Sequence, residues 1–306
     1  MILVTGGTGF VGRALVKELL KRKNKIRCLV RGKKIEGVDN WVGDLRDTKS
    51  LKGMGKDVDV VVHLAAIGNV NAVSRKDSEI YKKTNVQGLR NLLRECKKVK
   101  KVILLSSLIV EKPYHSAYGE TKRLAEEVLA SSGLPYVIFR APMIYDWEEP
   151  IGDFGKIVEA VKKGHIFVLD SGRYKMDLVS RKMVVREILK EVRLKSQKKA
   201  VKKLVEKSLG FVEFVEEVAK RYGVRKVRYV QLPFILISPL LFLIDVLSRV
   251  FGFIPPISFG RAKYLHRQDK DGCAGRDLNP GRHRGRVVSY QTRLPAHEKE
   301  EERPIF

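Results

Sequence analysis

The sequence predicts an α/β fold, a doubly wound parallel sheet followed by a smaller C-terminal domain, and three features predict it. Short apolar runs at 2–5, 26–30, 58–64, 102–106 and 136–140 alternate with segments such as 11–23 and 80–97, where Leu, Val and Ala recur at three- and four-residue steps. Such runs separated by helical-period segments are βαβ units, which assemble as a parallel sheet covered on both faces. Right-handed crossovers leave a ligand crevice at the carboxyl ends of the strands. A glycine-rich turn follows the first run at once, and beyond residue 150 the alternation weakens.

The expected domains are 1–150 for the sheet, 151–260 for the smaller domain and 261–306 for a loose tail. In the second domain 154–163, 181–193 and 211–222 read as helices, with a lysine-rich connector at 195–207. A chain of 306 residues can bury its core without disulfides or metals. Charged residues at 31% and hydrophobics at 44% exclude wholesale disorder, collagen-like repeats and a polytopic membrane protein. Cys28, Cys96 and Cys273 are far apart and form no CxxC pair, which points to a reducing compartment and away from a structural metal. The opening MILVTGGTGF has no basic leader or cleavage site, so the protein is expected in the cytoplasm. The net charge of +26 is spread over every segment and interleaved with acids. It reads as a solvated basic surface rather than a specific nucleic-acid site, with attraction to anionic lipid left open.

The first strand ends in Thr5-Gly6-Gly7-Thr8-Gly9-Phe10-Val11-Gly12, with glycines at i, i+3 and i+6 before a helical segment. The first permits a tight turn, the second close approach of backbone amides to a pyrophosphate, the third close packing of helix on strand. The helix N-terminus adds positive potential. At the end of the second strand, where an acidic residue would receive ribose hydroxyls, stand Arg31, Lys33 and Lys34. Basic groups there suit a 2′-phosphate, which favours NADP over NAD. Asp44, in Gly43-Asp44-Leu45, could accept the adenine amino group or cap a helix.

Tyr118-Gly119-Glu120-Thr121-Lys122 opens a helical stretch, so Tyr118 and Lys122 share a face. A cation beside a phenol is expected to lower its pKa from about 10, letting it exchange protons near neutrality. The fifth run ends in Ser106-Ser107, two hydroxyls on the crevice side.

The chain resembles the extended short-chain dehydrogenase/reductases with a Rossmann fold, the NAD-dependent epimerase/dehydratase family. The matching motifs, in order, are TGGTGFVG (5–12), GDL (43–45), HLAA (63–66), NVQGLRNLL (85–93), SS (106–107), YGETK (118–122) and RAPMIY (140–145). The resemblance implies an oxidoreductase or epimerase that passes hydride between a nicotinamide and a secondary alcohol or ketone carbon. Ser107 would hold the reacting oxygen, Tyr118 would be the general acid/base, and Lys122 would hold the nicotinamide ribose while tuning Tyr118. Asn85 would support the proton relay. Gly6, Gly9, Phe10, Val11 and Gly12 would surround the pyrophosphate, Ala65 and Ala66 would line the adenosine side, and Arg140 and Pro142 would shape the sixth strand's end near the ring. Arg31, Asp44 and Leu45 complete the expected cofactor contacts. A homodimer through the helices beginning near Ile80 and Tyr118 is a further implication.

Two departures bear on the substrate. Only ten residues separate Ser107 from Tyr118, a shorter loop than sugar-nucleotide epimerases usually carry. The family's acidic pair in the substrate domain is replaced by Val179-Ser180-Arg181. A nucleotide-linked sugar is the expected substrate; a sterol- or isoprenoid-like alcohol and a non-catalytic nucleotide-binding subunit are the alternatives. The lipid alternative draws on the apolar segment 229–254, interrupted by Pro233 and Pro239, which is too short for a simple span and reads as a packed helix or a membrane-interface segment.

Overall fold

The computed structural model describes residues 1–68, 79–113, 116–194, 198–251, 259–274 and 288–290. Its centre is a sheet built from β1 (Ile2–Thr5), β2 (Ile26–Val30), β3 (Asp39–Val42), β4 (Val60–His63), β5 (Lys101–Ser107), β6 (Tyr136–Ala141) and β10 (Ala200–Lys203). The spatial order is β10-β6-β5-β4-β1-β2-β3, all parallel, with the short strand β13 (Val288–Tyr290) antiparallel at one edge. The order reverses between β1 and β4, and the open crevice of a doubly wound sheet lies there.

Each face is closed by helices whose apolar residues fall at helical spacing. Helix α1 (Phe10–Lys21) buries Val11, Leu15, Val16 and Leu19. It packs beside α5 (Arg181–Arg193), which brings Val184, Val185 and Ile188 into the same cluster as Val4, Ile103 and Phe139. The other face is covered by α2 (Gly88–Glu95) and α3 (Ala117–Ala130), with Leu89, Leu92, Ala125 and Leu129 buried against Leu3, Val61 and Ile138. Ser116 caps α3 by accepting from Gly119 N at 3.0 Å. Ser180 caps α5 by accepting from Met183 N at 3.2 Å.

The smaller lobe holds β7 (Met143–Tyr145), α4 (Gly152–Lys162), β8 (His165–Leu169), β9 (Lys175–Ser180), β11 (Lys207–Gly210), α6 (Phe211–Arg221) and β12 (Arg228–Leu232) around Phe154, Val158, Leu178 and Phe214. It forms the two small sheets β11-β9-β7 and β12-β8. Two helices follow, α7 (Phe234–Phe251) and α8 (Phe259–Ala274).

Three sequence expectations are revised. The connector at 195–207 supplies β10, in register with β6, because Val201 enters the core while the lysines beside it stay at the rim. The helix α5 and the strand β10 therefore belong to the large sheet, although both were expected in the second domain. The tail thought loose from 261 begins with α8, tied down by the buried Asp269, which accepts from Ser171 N, Ser171 Oγ and Arg173 N at 3.1, 2.8 and 2.6 Å. The rest of that tail, His283 included, lies outside the described residues apart from β13. The helical segment at 80–97 carries a π-helical turn at Lys82–Gln87. Asn85 sits in this turn and bonds the backbone of Ile67, a side-chain partner that accommodates a π-bulge.

Candidate active site

The turn after β1 is shaped by what it excludes. Gly6 has φ of 73°, and a Cβ there would stand 2.7 Å from Ala65 N; at Gly12 it would stand 2.0 Å from Gly6 O. Gly9 enters α1 with extended backbone and no side-chain cap. Both glycines thus let backbone pack on backbone where no side chain fits, and the turn leads straight into the first-turn amides of Phe10, Val11 and Gly12, a helix N-terminus that suits the pyrophosphate of a dinucleotide. The Arg181 guanidinium lies 4.6 Å from the centre of the Phe10 ring and bonds Asp146 at 2.8 Å and Glu149, which also takes Arg13. In place of an acidic pair, this arginine staples the second lobe to the start of α1.

At the other end of the crevice Arg31, Lys33 and Lys34 are exposed after β2. The Asp44 carboxylate accepts from Arg46 N at 2.8 Å and from its guanidinium at 3.0 and 2.6 Å. That bonding, with the charge of Arg31 nearby, holds its pKa at about 2. Of the roles left open for Asp44, the structure shows it holding its own turn. Leu45 is buried, and its carbonyl accepts from Asn91 Nδ2 at 2.8 Å. Ala65 backs Gly6, and Ala66 is exposed.

Ser107 ends β5, and its hydroxyl lies beside the Tyr118 phenol near the start of α3, close enough to favour its ionised form. The same oxygen accepts from Ile109 N at 3.3 Å, which fixes it at the strand end. Thr121 Oγ donates to Tyr118 O at 3.0 Å and accepts from Asn85 Nδ2 at 3.2 Å. The expected four residues, Ser107, Tyr118, Lys122 and Asn85, therefore converge at the carboxyl end of β5. The electrostatics differ from expectation. Lys122 is buried, and its ammonium donates to Leu105 O at 2.7 Å. Desolvation lowers its pKa to about 8, against the pull of Glu126. Burial likewise pushes the Tyr118 phenol up to about 12, opposed by Ser107, with nearby Tyr81 adding to the rise. The Lys122 ammonium, turned to the Leu105 carbonyl, is not among the groups that shift the phenol, and desolvation sets the direction for both.

Behind the site lies a charge network that sequence reasoning missed. Glu126, 2% exposed, accepts from Ser106 Oγ and from Arg140 Nη2 at 2.6 Å. Arg140 also reaches Glu111 at 2.9 Å, and Glu111 takes Lys203 at 2.6 Å. Arg140, expected to shape the region near the ring, instead ties β6 to α3 and to the turn after β5. Tyr81 was likewise unforeseen; its hydroxyl donates to Gly68 O at 2.8 Å.

His63 of the HLAA motif is buried, with Nδ1 2.8 Å from Thr5 Oγ. Desolvation first, then the Lys122 charge, lower its pKa from 6.5 to about 3. The unfolded chain binds the proton that the folded one refuses, so the stabilisation is complete above 6.5 and is lost as pH falls toward 3. Thermal melts should fall across this window by at most about 1.4 kcal/mol per pH unit, and His63→Gln should flatten that slope. Asp44 and Asp59, held at about 2 against an ordinary 3.8, add their own loss from about pH 5 downward, so the His63 slope is read between about 6.5 and 5.

Fold and site together define a dinucleotide-binding α/β protein of the extended short-chain dehydrogenase/reductase type. A model of the NAD-dependent epimerase/dehydratase family matches residues 2–201, and the chain belongs to that family. It is 37% identical over 146 residues to an uncharacterized membrane protein of Methanocaldococcus jannaschii, covering 44% of this chain and 43% of that protein. It is 33% identical over 145 residues to an inverting UDP-N-acetylglucosamine 4,6-dehydratase of Campylobacter jejuni, covering 43% of each. The chain thus spans less than half the length of these relatives. A UDP-glucuronic acid 4-epimerase from Bacillus cereus in complex with NAD superposes with a TM-score of 0.65 at 20% identity, over 86% of this chain and 94% of that one.

Proposed function

We propose that the chain catalyses redox or epimerase/dehydratase chemistry at a secondary alcohol or ketone carbon of a nucleotide-linked sugar. The observation that carries this is the meeting of Ser107, Tyr118, Asn85 and Lys122 at the end of β5, joined through Thr121 and the Leu105 carbonyl, in the crevice that opens beside the glycine turn of β1. The C. jejuni relative supports a sugar nucleotide as substrate. In this reading Ser107 positions the reacting oxygen and Tyr118 moves its proton. Lys122 and Asn85 hold the ribose and the relay, and Pro142 borders the ring. A bound nicotinamide supplies the hydride acceptor or donor. Lys112, in the turn after Ser107, donates to Tyr264 Oη at 3.3 Å, so α8 edges the substrate side.

The basic rim at Arg31, Lys33 and Lys34 supports NADP over NAD. The expected result is tighter binding of NADPH than of NADH, with Arg31→Ser weakening NADPH by about tenfold, roughly one charge-assisted contact, and leaving NADH nearly unchanged. Fluorescence titration measures both; equal loss for the two cofactors would place Arg31 outside the 2′ position. Native mass spectrometry of the freshly purified chain, before and after addition of UDP-N-acetylglucosamine, tests the activity. A retained dinucleotide that changes redox state, a sugar nucleotide that changes mass, or an epimer resolved by chromatography supports the reading, and inertness toward a panel of sugar nucleotides by all three opposes it.

A homodimer is proposed through the outer face of α2 and α3, where Leu93, Leu124, Val128 and Leu134 line an open hollow rimmed by Arg90 and Arg94. A second substrate reading, a lipid alcohol met at a membrane surface, is favoured by the exposure of α7. No helix among the described residues is long and apolar enough to cross a membrane.

A further inference from the structure

Helix α7 is amphipathic in the inverted sense. Among its described side chains the polar ones, Ser238, Asp245 and Ser248, lie on the partly buried side. Asp245 accepts from Phe259 N at 2.9 Å, across the junction with α8. Every exposed residue described on α7 is apolar: Ile235, Leu236, Pro239, Leu240, Phe242, Leu243, Val246, Leu247 and Phe251. Ile235, Leu236 and Phe251 are 73%, 75% and 74% exposed. At 3.6 residues per turn these positions sweep roughly half the circumference without one charge. A contiguous apolar surface of that kind is a binding face.

The neighbouring helix shows what covers it. Phe234 stacks on His266 with centroids 4.5 Å apart, and Phe242 meets Phe259 at 5.7 Å, so α7 and α8 form an antiparallel hairpin. On α8, Lys263, Arg267 and Lys270 stand at i, i+4 and i+7 and are exposed, while Leu265 and Asp269 face the smaller lobe. This stripe borders the positions, Phe259 and His266, that face α7. Asp269, the only acid on the described side chains of α8, is buried and satisfied. Arg225, Lys226 and Arg228, just before α7, are exposed as well. An apolar half-cylinder flanked by cations, with no exposed acid on either helix's described side chains, matches an anionic bilayer surface: acyl boundary under the apolar arc, headgroups against the lysines and arginines.

We infer that the α7–α8 hairpin is an interfacial anchor that lies flat on anionic membrane. Eighteen residues rise about 27 Å, and the polar side of the helix is held by α8, so the helix rests in the interface instead of crossing it. Because α8 also meets Lys112 in the turn after Ser107, the docked chain holds the substrate side of its crevice near the membrane. The inference stands whether or not the chain turns over a sugar nucleotide, since the outward faces of α7 and α8 hold none of the residues assigned to the reaction or to the cofactor.

The test is co-sedimentation of the full chain with vesicles of phosphatidylcholine alone or mixed with phosphatidylglycerol, alongside its sedimentation velocity without lipid. The expected result is binding to the mixed vesicles that weakens with salt, and little binding to phosphatidylcholine alone. Leu236→Asp with Leu243→Asp should abolish pelleting. Lys263→Glu with Arg267→Glu should weaken it by more than tenfold, at about fivefold per cation. All four positions are solvent-facing, so dinucleotide binding should survive as the check on folding. Absence of wild-type binding to anionic vesicles overturns the inference. So does a wild-type dimer that Leu236→Asp with Leu243→Asp converts to monomer, if neither form binds vesicles, for the face would then belong to a second copy of the chain.

Discussion

Tyr118→Phe is expected to bind the dinucleotide within about twofold of wild type while kcat on the accepted substrate falls by about a thousandfold, the middle of the range for one general acid/base. The phenylalanine fills the same half-buried space beside Ser107 and gives up the hydroxyl's contact with it, at a cost of about 1 kcal/mol in stability. A phenol that titrates near 12 in the free chain stays protonated across the neutral range. The carbonyl-to-alcohol direction should therefore show kcat/KM flat with pH, and the alcohol-to-carbonyl direction should rise with pH. Steady-state rates in both directions check this. A variant retaining a tenth of wild-type kcat would remove the phenol from proton transfer.

Glu126→Ala is expected to be the most destabilising single change near the site, by about 3–5 kcal/mol, because it strands buried partners. Arg140, with its side chain 16% exposed, would lose Glu126 Oε2 at 2.6 Å, and Ser106 would lose its acceptor. Lys122 would lose the carboxylate that favours its charged form, so its pKa should drop further. Urea unfolding measures the first effect. Glu126→Gln separates charge from shape: it keeps an acceptor for Ser106 and should cost less than half as much. Equal losses for the two variants would mean that packing, not charge, holds this network.

Local pattern carried a large part of the architecture. Strands at 2–5 and 26–30 and the helix at 181–193 lie where apolar spacing places them, since period and length are properties of the chain itself. The turn at Gly6 and Gly12 was legible because glycine marks a steric demand that its neighbours impose. Ser107, Tyr118, Lys122 and Asn85 were legible through motif order, and the fold brings them to one strand end. The network of Glu126, Arg140, Glu111 and Lys203 was not, because its members are up to 92 positions apart in a chain of 306 and carry no local periodicity.

The chain's own order of residues thus determines where helices and strands begin and which hydroxyls and amines arrive at the crevice. Which way those groups titrate was decided only in three dimensions. Lys122 suggested an acidified phenol, yet its ammonium is turned to the Leu105 carbonyl and burial raises Tyr118 instead. The apolar stretch after residue 229 permitted either a buried or an exposed helix, and the polarity of α7 was settled by α8, whose Phe259 and His266 claim one side and leave the apolar arc in solvent. Periodicity is short-ranged and sits in the sequence; burial is a sum over everything that packs nearby, and only the folded chain supplies it.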